Sequence, residues 1–277
     1  MAQTDELGDR MKLYEGREAQ RRALPQLPIV VRIDGKGFSR WTKGLVYPFD
    51  ERLEKCRQHT MRYLIKETGA LIGYHQSDEM SLVLYSGDPK SQIYCDGRYQ
   101  KLVSHTASMA ANAWRDAVAL YIPEKIGVTA NFDSRAWEVP SLEEAANALM
   151  WREWDATKNS VSMAVRSVYS HKEVHGKNSS EMQDMLMEKG INWSMYPPWA
   201  KRGAYTGRRI YARTLSQEEL SNLPPLHTAR KNPGEVVRRS EIQVLDLPPL
   251  ARTLNRVGVL FQGEDPQLAE GPLRDAK

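Results

Sequence analysis

A chain of 277 residues with 41% apolar and 27% charged side chains has the make-up of a globular protein, long enough for one large core or a core with an appended half. Thirty-nine basic against 35 acidic residues leave a net charge of +4, which only mildly favours polyanionic partners, and the two distant cysteines, Cys56 and Cys95, support neither a disulfide framework nor a zinc site. The histidines form no HExxH, no apolar run approaches ~18 residues and the first ten residues lack a signal-peptide core, so a soluble, cytoplasmic protein without membrane contact is expected.

Residues 1–24 are polar with a helix-compatible middle, closed off by Pro25 and Pro28. A buried strand is predicted over Leu27 to Ile33 from the β-branched run Ile29, Val30, Val31 and Ile33. It ends in Asp34-Gly35-Lys36-Gly37, whose two glycines let backbone N–H groups approach a phosphate, although a plain strand-end turn reads the same way. GxxxxGK[ST] is absent. Asp50 is the predicted N-cap of a helix to about Thr68, with Leu53, Cys56, Thr60, Met61, Leu64 and Ile65 on its inner face and Gly69 at its end. Cys56 there reads as core packing rather than as a nucleophile. Strands over Ala70 to His75 and Met80 to Tyr85 meet across Gln76-Ser77-Asp78-Glu79, a hairpin with acids at its tip. Ser86 to Pro89 is an ordinary loop. A helix from about Arg98 to Leu120 carries small residues for close packing, with Lys101 and His105 near its start, where a cation reaches phosphates or is simply solvated. A fourth strand, Val128 to Phe132, leads into Asp133-Ser134-Arg135.

This order, β-α-β-β-α-β, predicts an α+β, ferredoxin-like split unit with both helices on one sheet face and the other face free. Its first strand is central, so Asp34 faces the hairpin tip with Asp78 and Glu79. Mg²⁺ takes oxygen ligands from one or two carboxylates, waters and substrate phosphates. Asp34, Asp78 and the Gly35 carbonyl would serve a pair of such ions on a nucleoside triphosphate. Glu79 reads as a ligand, a hydrogen-bond acceptor or only the corner of the hairpin.

After Pro140 the composition changes. Ser141 to Glu144 is a capping box opening a helix to about Tyr169 through the Trp-rich segment Trp151 to Ser160. The tryptophans suit a core, whereas Asp155, Lys158 and Asn159 suit a polar task. Ser170 to Lys177 is a solvated loop or an RNA contact. Asn178 caps a further helix with Glu181 three residues on, ended by Gly190. Residues 200–240 carry nine cations (Lys201, Arg202, Arg208, Arg209, Arg213, Arg230, Lys231, Arg238, Arg239) against Glu218, Glu219 and Glu235, an excess of six that suits a nucleic-acid grip. Gly263 to Lys277 reads as a frayed tail.

Val31 to Phe38, Gln76 to Ser81, Phe132 to Arg135 and Trp151-Arg152, taken in order, resemble the motifs of the tRNA-His guanylyltransferase family of 3′–5′ nucleotide-adding polymerases. The resemblance spans roughly residues 25–205. Thr157-Lys158-Asn159-Ser160, the SHKE stretch and Lys201-Arg202-Gly203 are closer to the bacterial "like" branch than to eukaryotic enzymes, which have His-Ile-Asn-Asn at that place. Ser39 stands where many members have a His, and Tyr47 where eukaryotic enzymes have a Lys.

The resemblance implies a polymerase palm over residues 1–140 and a helical, basic region over 141–277 packed on it. It implies a template-dependent nucleotidyltransferase that adds nucleotides, preferentially G, to the 5′ end of tRNA, either as tRNA-His guanylylation or as repair of 5′-truncated tRNA. Two Mg²⁺ would be held by Asp34, Gly35 and Asp78, with Asp34, Asp78 and Glu79 catalytic and ATP and GTP as substrates. Gly35, Lys36, Gly37, Phe38, Ser39, Ser77 and Asp78 would hold the nucleotide. RNA contacts are expected from Lys101, Arg135, Arg152, Lys158, Asn159, Lys201 and Arg202. A homotetramer is implied. A nucleotide cyclase-like palm enzyme and a non-catalytic tRNA-binding protein are the alternatives.

Overall fold

The alternation of β-branched runs with amphipathic stretches resolves, in the computed structural model, into helices and strands over residues 6–232, 234 and 236–270. In chain order these are α1 Glu6–Ala19, β1 Ile29–Lys36, α2 Phe38–Trp41, α3 Glu51–Thr68, β2 Ile72–Gln76, β3 Glu79–Leu84, α4 Tyr99–Tyr121 and β4 Asn131–Glu138. Then follow α5 Leu142–Arg166, α6 His171–Val174, α7 Ser179–Glu188, α8 Pro198–Arg202, β5 Ala204–Thr214, α9 Gln217–Asn222, α10 Thr228–Lys231 and β6 Val236–Leu245. Residues 1–5 of the polar start, residues 271–277 of the expected tail and Glu235 of the basic region lie outside the described residues.

The strands form one antiparallel sheet in the order β4-β1-β3-β2-β5-β6. Alternation along β1 and β3 sends Ile29, Val31, Ile33, Met80, Leu82 and Leu84 to one face, against Met61, Leu64 and Ile65 of α3 and Leu102 and Ala110 of α4. Each such fully buried side chain contributes roughly 1.5–3 kcal/mol. Val30, Ile72, Tyr74 and Val83 go to the other face, which is not free. There Ala145, Ala146, Leu149 and Met150 of α5 cover it, with Leu250 and Leu260. A central strand apolar on both sides needs cover on both sides. The Ser141 side chain, accepting from the Glu144 amide at 3.3 Å, starts the helix that supplies it.

Helix α3 forms where expected: Asp50 Oδ1 accepts from the Arg52 amide at 2.9 Å, and Gly69 closes the other end on the Ile65 carbonyl. Cys56 is fully buried and burial pushes its thiol up to about 12, as suits a packing residue.

The structure differs from the sequence reading at several places. Strand β1 runs on to Lys36, so Asp34 lies inside the ladder. Strand β4 spans Asn131–Glu138 and not Val128 to Phe132, pairing from Lys36↔Asn131 to Ile29↔Glu138. Its residues alternate exposed and half-buried from Asn131 to Ala136 on an edge of the sheet, while the polar run Asp133-Ser134-Arg135 hides the strand in the sequence. The region after 140 adds strands as well as helices. β5 pairs with β2 only over Ala204 to Gly207 and with β6 from Tyr205 to Thr214, so the two continue beyond the sheet as a two-stranded, Arg-rich arm. Nor is the chain after Gly263 frayed throughout: Leu254 and Gln267 bond through their backbones, as do Ala269 and Arg252. Among the described residues no helix is long and apolar enough to cross a membrane.

Candidate active site

Asp34 on β1 sits directly opposite Glu79 on β3 and Asp133 on β4. Opposed residues of an antiparallel ladder share a face, so three carboxylates line up across the sheet. Two of them are neutralised. Arg152, on α5, clamps Glu79 with two bonds of 2.6 Å, Nε to Oε1 and Nη2 to Oε2, and Arg135 donates to Asp133 at 2.9 Å. Asp34 forms no ion pair among the described residues.

The fourth carboxylate comes from the hairpin. The register Gln76↔Glu79 leaves Ser77-Asp78 as a two-residue turn, and Ser77 adopts φ +49°. The turn is held from two sides. The Gly35 N–H donates to the Asp78 carbonyl at 3.1 Å, and Arg57 Nη1 donates to the Ser77 carbonyl at 3.1 Å. Arg57 is itself fixed by Glu54 (Nε to Oε2, 3.0 Å), whose other oxygen lies 2.9 Å from His75 Nε2. Burial acts to raise the Glu54 carboxyl, but the His75 charge, its hydrogen bond and Arg57 bring it down to about 2.

Asp34 and Asp78 repel each other. Burial pushes the Asp78 carboxyl up, a bond from the Ser77 side chain opposes this, and the Asp34 charge adds to the rise. Two carboxylates brought together, neither in an ion pair among the described residues, make a site that a cation would relieve. Among the described residues no three or more His, Cys, Asp or Glu side chains converge as a complete metal cage. Two carboxylates with a neighbouring carbonyl fit Mg²⁺, which keeps waters and takes substrate phosphates for the rest. A Cβ at Gly35 would lie 2.4 Å from the Phe38 ring and 2.9 Å from Asp78 Cβ, so only glycine lets β1 approach the turn this closely.

Beside this pair opens a cavity of ≈ 780 Å³, within the span of about 300–1,000 Å³ usual for small-molecule sites. Gly35, Gly37, Phe38 and Ser39 line one side, the loop Thr42 to Asp50 a second, and Arg57, Ser77 and Asp78 the floor. Asn159, Ser160 and Met163 of α5 and Trp199 and Gly203 close it. Its glycine loop is braced from behind: Phe38 stacks on Trp41 at 5.2 Å and meets Trp114 edge-on at 5.1 Å.

The expected site residues divide accordingly. Gly35, Gly37, Phe38, Ser39, Ser77, Asp78 and Asn159 line the cavity, and Asp34 adjoins it. Lys36 is exposed at the end of β1, outside the lining. Glu79, bound by Arg152, is no open ligand. Arg135 and Arg152 spend their charge on carboxylates of the sheet, while Lys201 donates to the Ser194 carbonyl at 2.6 Å and Arg202 to that of Leu247. Lys101 and Lys158 are exposed without ion pairs among the described residues. Arg57, Trp199 and, apart from Tyr47 and the N-cap Asp50, the Thr42 to Asp50 loop are additions that the sequence reading does not name. For Arg57, the acid three residues earlier on the same helix, Glu54, was the available signal.

A sequence model described as tRNAHis guanylyltransferase (Thg1) matches residues 8–140. A solved structure of a bacterial tRNA(His) guanylyltransferase (Thg1)-like protein in complex with ATP is 38% identical at a TM-score of 0.69, covering 74% of this chain and 87% of that one. One in complex with GTP is 31% identical at the same score, covering 89% and 94%. The tRNA(His) guanylyltransferase of Schizosaccharomyces pombe is 29% identical over 197 residues, 66% of this chain and 74% of that protein.

Proposed function

The chain belongs to the tRNA(His) guanylyltransferase family of nucleotidyltransferases, and from that premise we propose that it extends the 5′ end of tRNA in the 3′–5′ direction, adding G preferentially, either to tRNA(His) or in template-dependent repair of 5′-truncated tRNA. The observation that carries the reading is the meeting of the Gly35 to Ser39 loop and the Asp34–Asp78 pair at one cavity of nucleotide size. We read β4-β1-β3-β2 with α3 and α4 as a ferredoxin-like polymerase palm, residues 1–140, and 141–277 as the region that covers its second face and carries the basic arm. ATP and GTP, the nucleotides of the two bacterial structures, are the substrates assigned to the cavity.

The reaction has two transfers. A 5′-phosphate oxygen of the tRNA attacks the α-phosphorus of ATP or GTP, and pyrophosphate leaves. The 3′-hydroxyl of an incoming GTP then attacks the activated 5′-phosphate, and a nucleoside monophosphate leaves. Backbone N–H groups from Gly37 to Ser39 hold triphosphate oxygens, with the Ser77 turn opposite them. Asp34, Asp78 and the Gly35 carbonyl would hold two Mg²⁺, which when bound supply charge neutralisation on the phosphate oxygens. Arg57 keeps the Asp78 turn in place, and Glu79 keeps Arg152 and α5 on the sheet. A tetramer would let one subunit's basic arm reach RNA seated on another.

The test is incubation with labelled GTP and a panel of full-length and 5′-truncated tRNAs, with products sized on a gel and an RNA-free arm analysed for cyclic nucleotide. The expected result is label at the 5′ end of RNA and none in the RNA-free arm. Label in cyclic GMP would establish a cyclase-like enzyme instead. Tight RNA binding with no pyrophosphate release would establish a binding protein.

A further inference from the structure

On the far side of α3 from the hairpin tip lies a second cavity of ≈ 570 Å³, between the helix and the root of the β5–β6 arm. Lys55, His59, Arg62 and Lys66 line it at helical spacing, one stripe about 16 Å long at a rise of about 1.5 Å per residue. Arg208 of β5 stands on the opposite wall, its guanidinium donating to Ser240 at 3.1 Å. Among the described residues Lys55, Arg62, Lys66 and Arg208 form no ion pair, and Glu241 is the single acid of the lining. Tyr63 and Tyr121 add aromatic wall, Tyr121 meeting His59 edge-on at 6.4 Å.

The groove and the nucleotide cavity lie along the same helix: α3 lines the first with Lys55 to Lys66 and the second with Leu53 and Arg57, and a third hollow between them shares Gln58 with the groove and Trp199 and Gly203 with the nucleotide cavity. A cationic face standing free on a helix is ordinarily just solvated. This one is walled on both sides, keeps its charges unpaired among the described residues, and stands on the same helix that lines the nucleotide cavity.

We propose that this groove seats the phosphodiester backbone of the RNA substrate, with Lys55, Arg62, Lys66 and Arg208 contacting successive phosphates while the 5′ end lies in the nucleotide cavity. The assignment rests on the 5′-end transfer reading for its polarity, and on the groove's own charge for its occupant. Such contacts set affinity and register without reading sequence.

The triple variant Lys55→Gln/Arg62→Gln/Lys66→Gln tests it, since all three side chains are exposed and outside the nucleotide cavity. The tRNA dissociation constant is measured across a salt series, alongside RNA-free GTP binding and oligomeric mass. The triple variant is expected to bind tRNA about tenfold or more weakly and to lower the log–log salt slope by about 2 to 3, with GTP binding and mass unchanged. Arg208→Gln, on the other wall, should lower the slope by about 1. An unchanged tRNA affinity and slope in the triple variant overturns the proposal, and a changed mass with unchanged affinity makes the groove a subunit interface instead. If wild-type protein binds tRNA through this stripe but adds nothing to it, the groove stands and the transfer reading falls.

Discussion

A methyl group on Gly35 would press into the Phe38 ring at 2.4 Å, and Phe38 has nowhere to go between Trp41 and Trp114. The strain would pass to the other neighbour, Asp78, and to the 3.1 Å bond from the Gly35 N–H that holds its turn. Gly35→Ala is therefore expected to cost about 1–3 kcal/mol by overpacking. Displacing the carboxylate by about 1 Å should also slow transfer on the order of 100-fold. Urea unfolding and a single-turnover assay on one preparation measure both, and near-wild-type rates would mean that the turn need not be held so closely. The same scale explains why Glu79 and Asp78, adjacent in sequence, do different work. Asp78 lies in the turn and lines the cavity, whereas Glu79 begins β3 and is closed off by a fork that Arg makes and Lys does not.

Helix α3 joins the core to the site, and its Glu54 ties both to pH. The folded-state value of about 2 lies below the ordinary 4.5, so ionised Glu54 stabilises the fold above pH 4.5, and that contribution is lost as pH falls from 4.5 through about 2. Over that window the unfolding free energy of wild type should fall more steeply than that of Glu54→Gln, by up to about 1.4 kcal/mol per pH unit. Parallel slopes in urea titrations of the two proteins would show that Glu54 is not the group responsible. The helix itself was legible in the sequence because Asp50, the apolar stripe and Gly69 all mark the same boundaries. Arg57 was not, since a charge between Cys56 and Gln58 reads as solvated until the fold brings Ser77 beneath it. The true bounds of β4, and strands β5 and β6 altogether, escaped for a related reason. Their largely polar stretches gain meaning only from the neighbours they pair with, at an edge and on an arm.

At the scale of the whole molecule, the order of elements brings Asp34 and the Asp78 turn together, as the sequence implied, although Asp34 reaches there from inside a strand. The sequence reading expects the sheet's second face to be free, and α5 covers it instead, because nothing in its Trp-rich run says which side of the sheet it packs on. Helix α3 lines both the nucleotide cavity and the cationic groove, and the central claim is that the two carboxylates beside the cavity carry the transfer. The most direct measurement is single-turnover addition of labelled GTP to a 5′-truncated tRNA by wild type, Asp34→Asn and Asp78→Asn, with RNA-free GTP binding measured on each. Wild type should lengthen the RNA at its 5′ end, and each variant should lose several kcal/mol of rate, on the order of 1,000-fold. Extension at the wild-type rate by either variant would contradict the account.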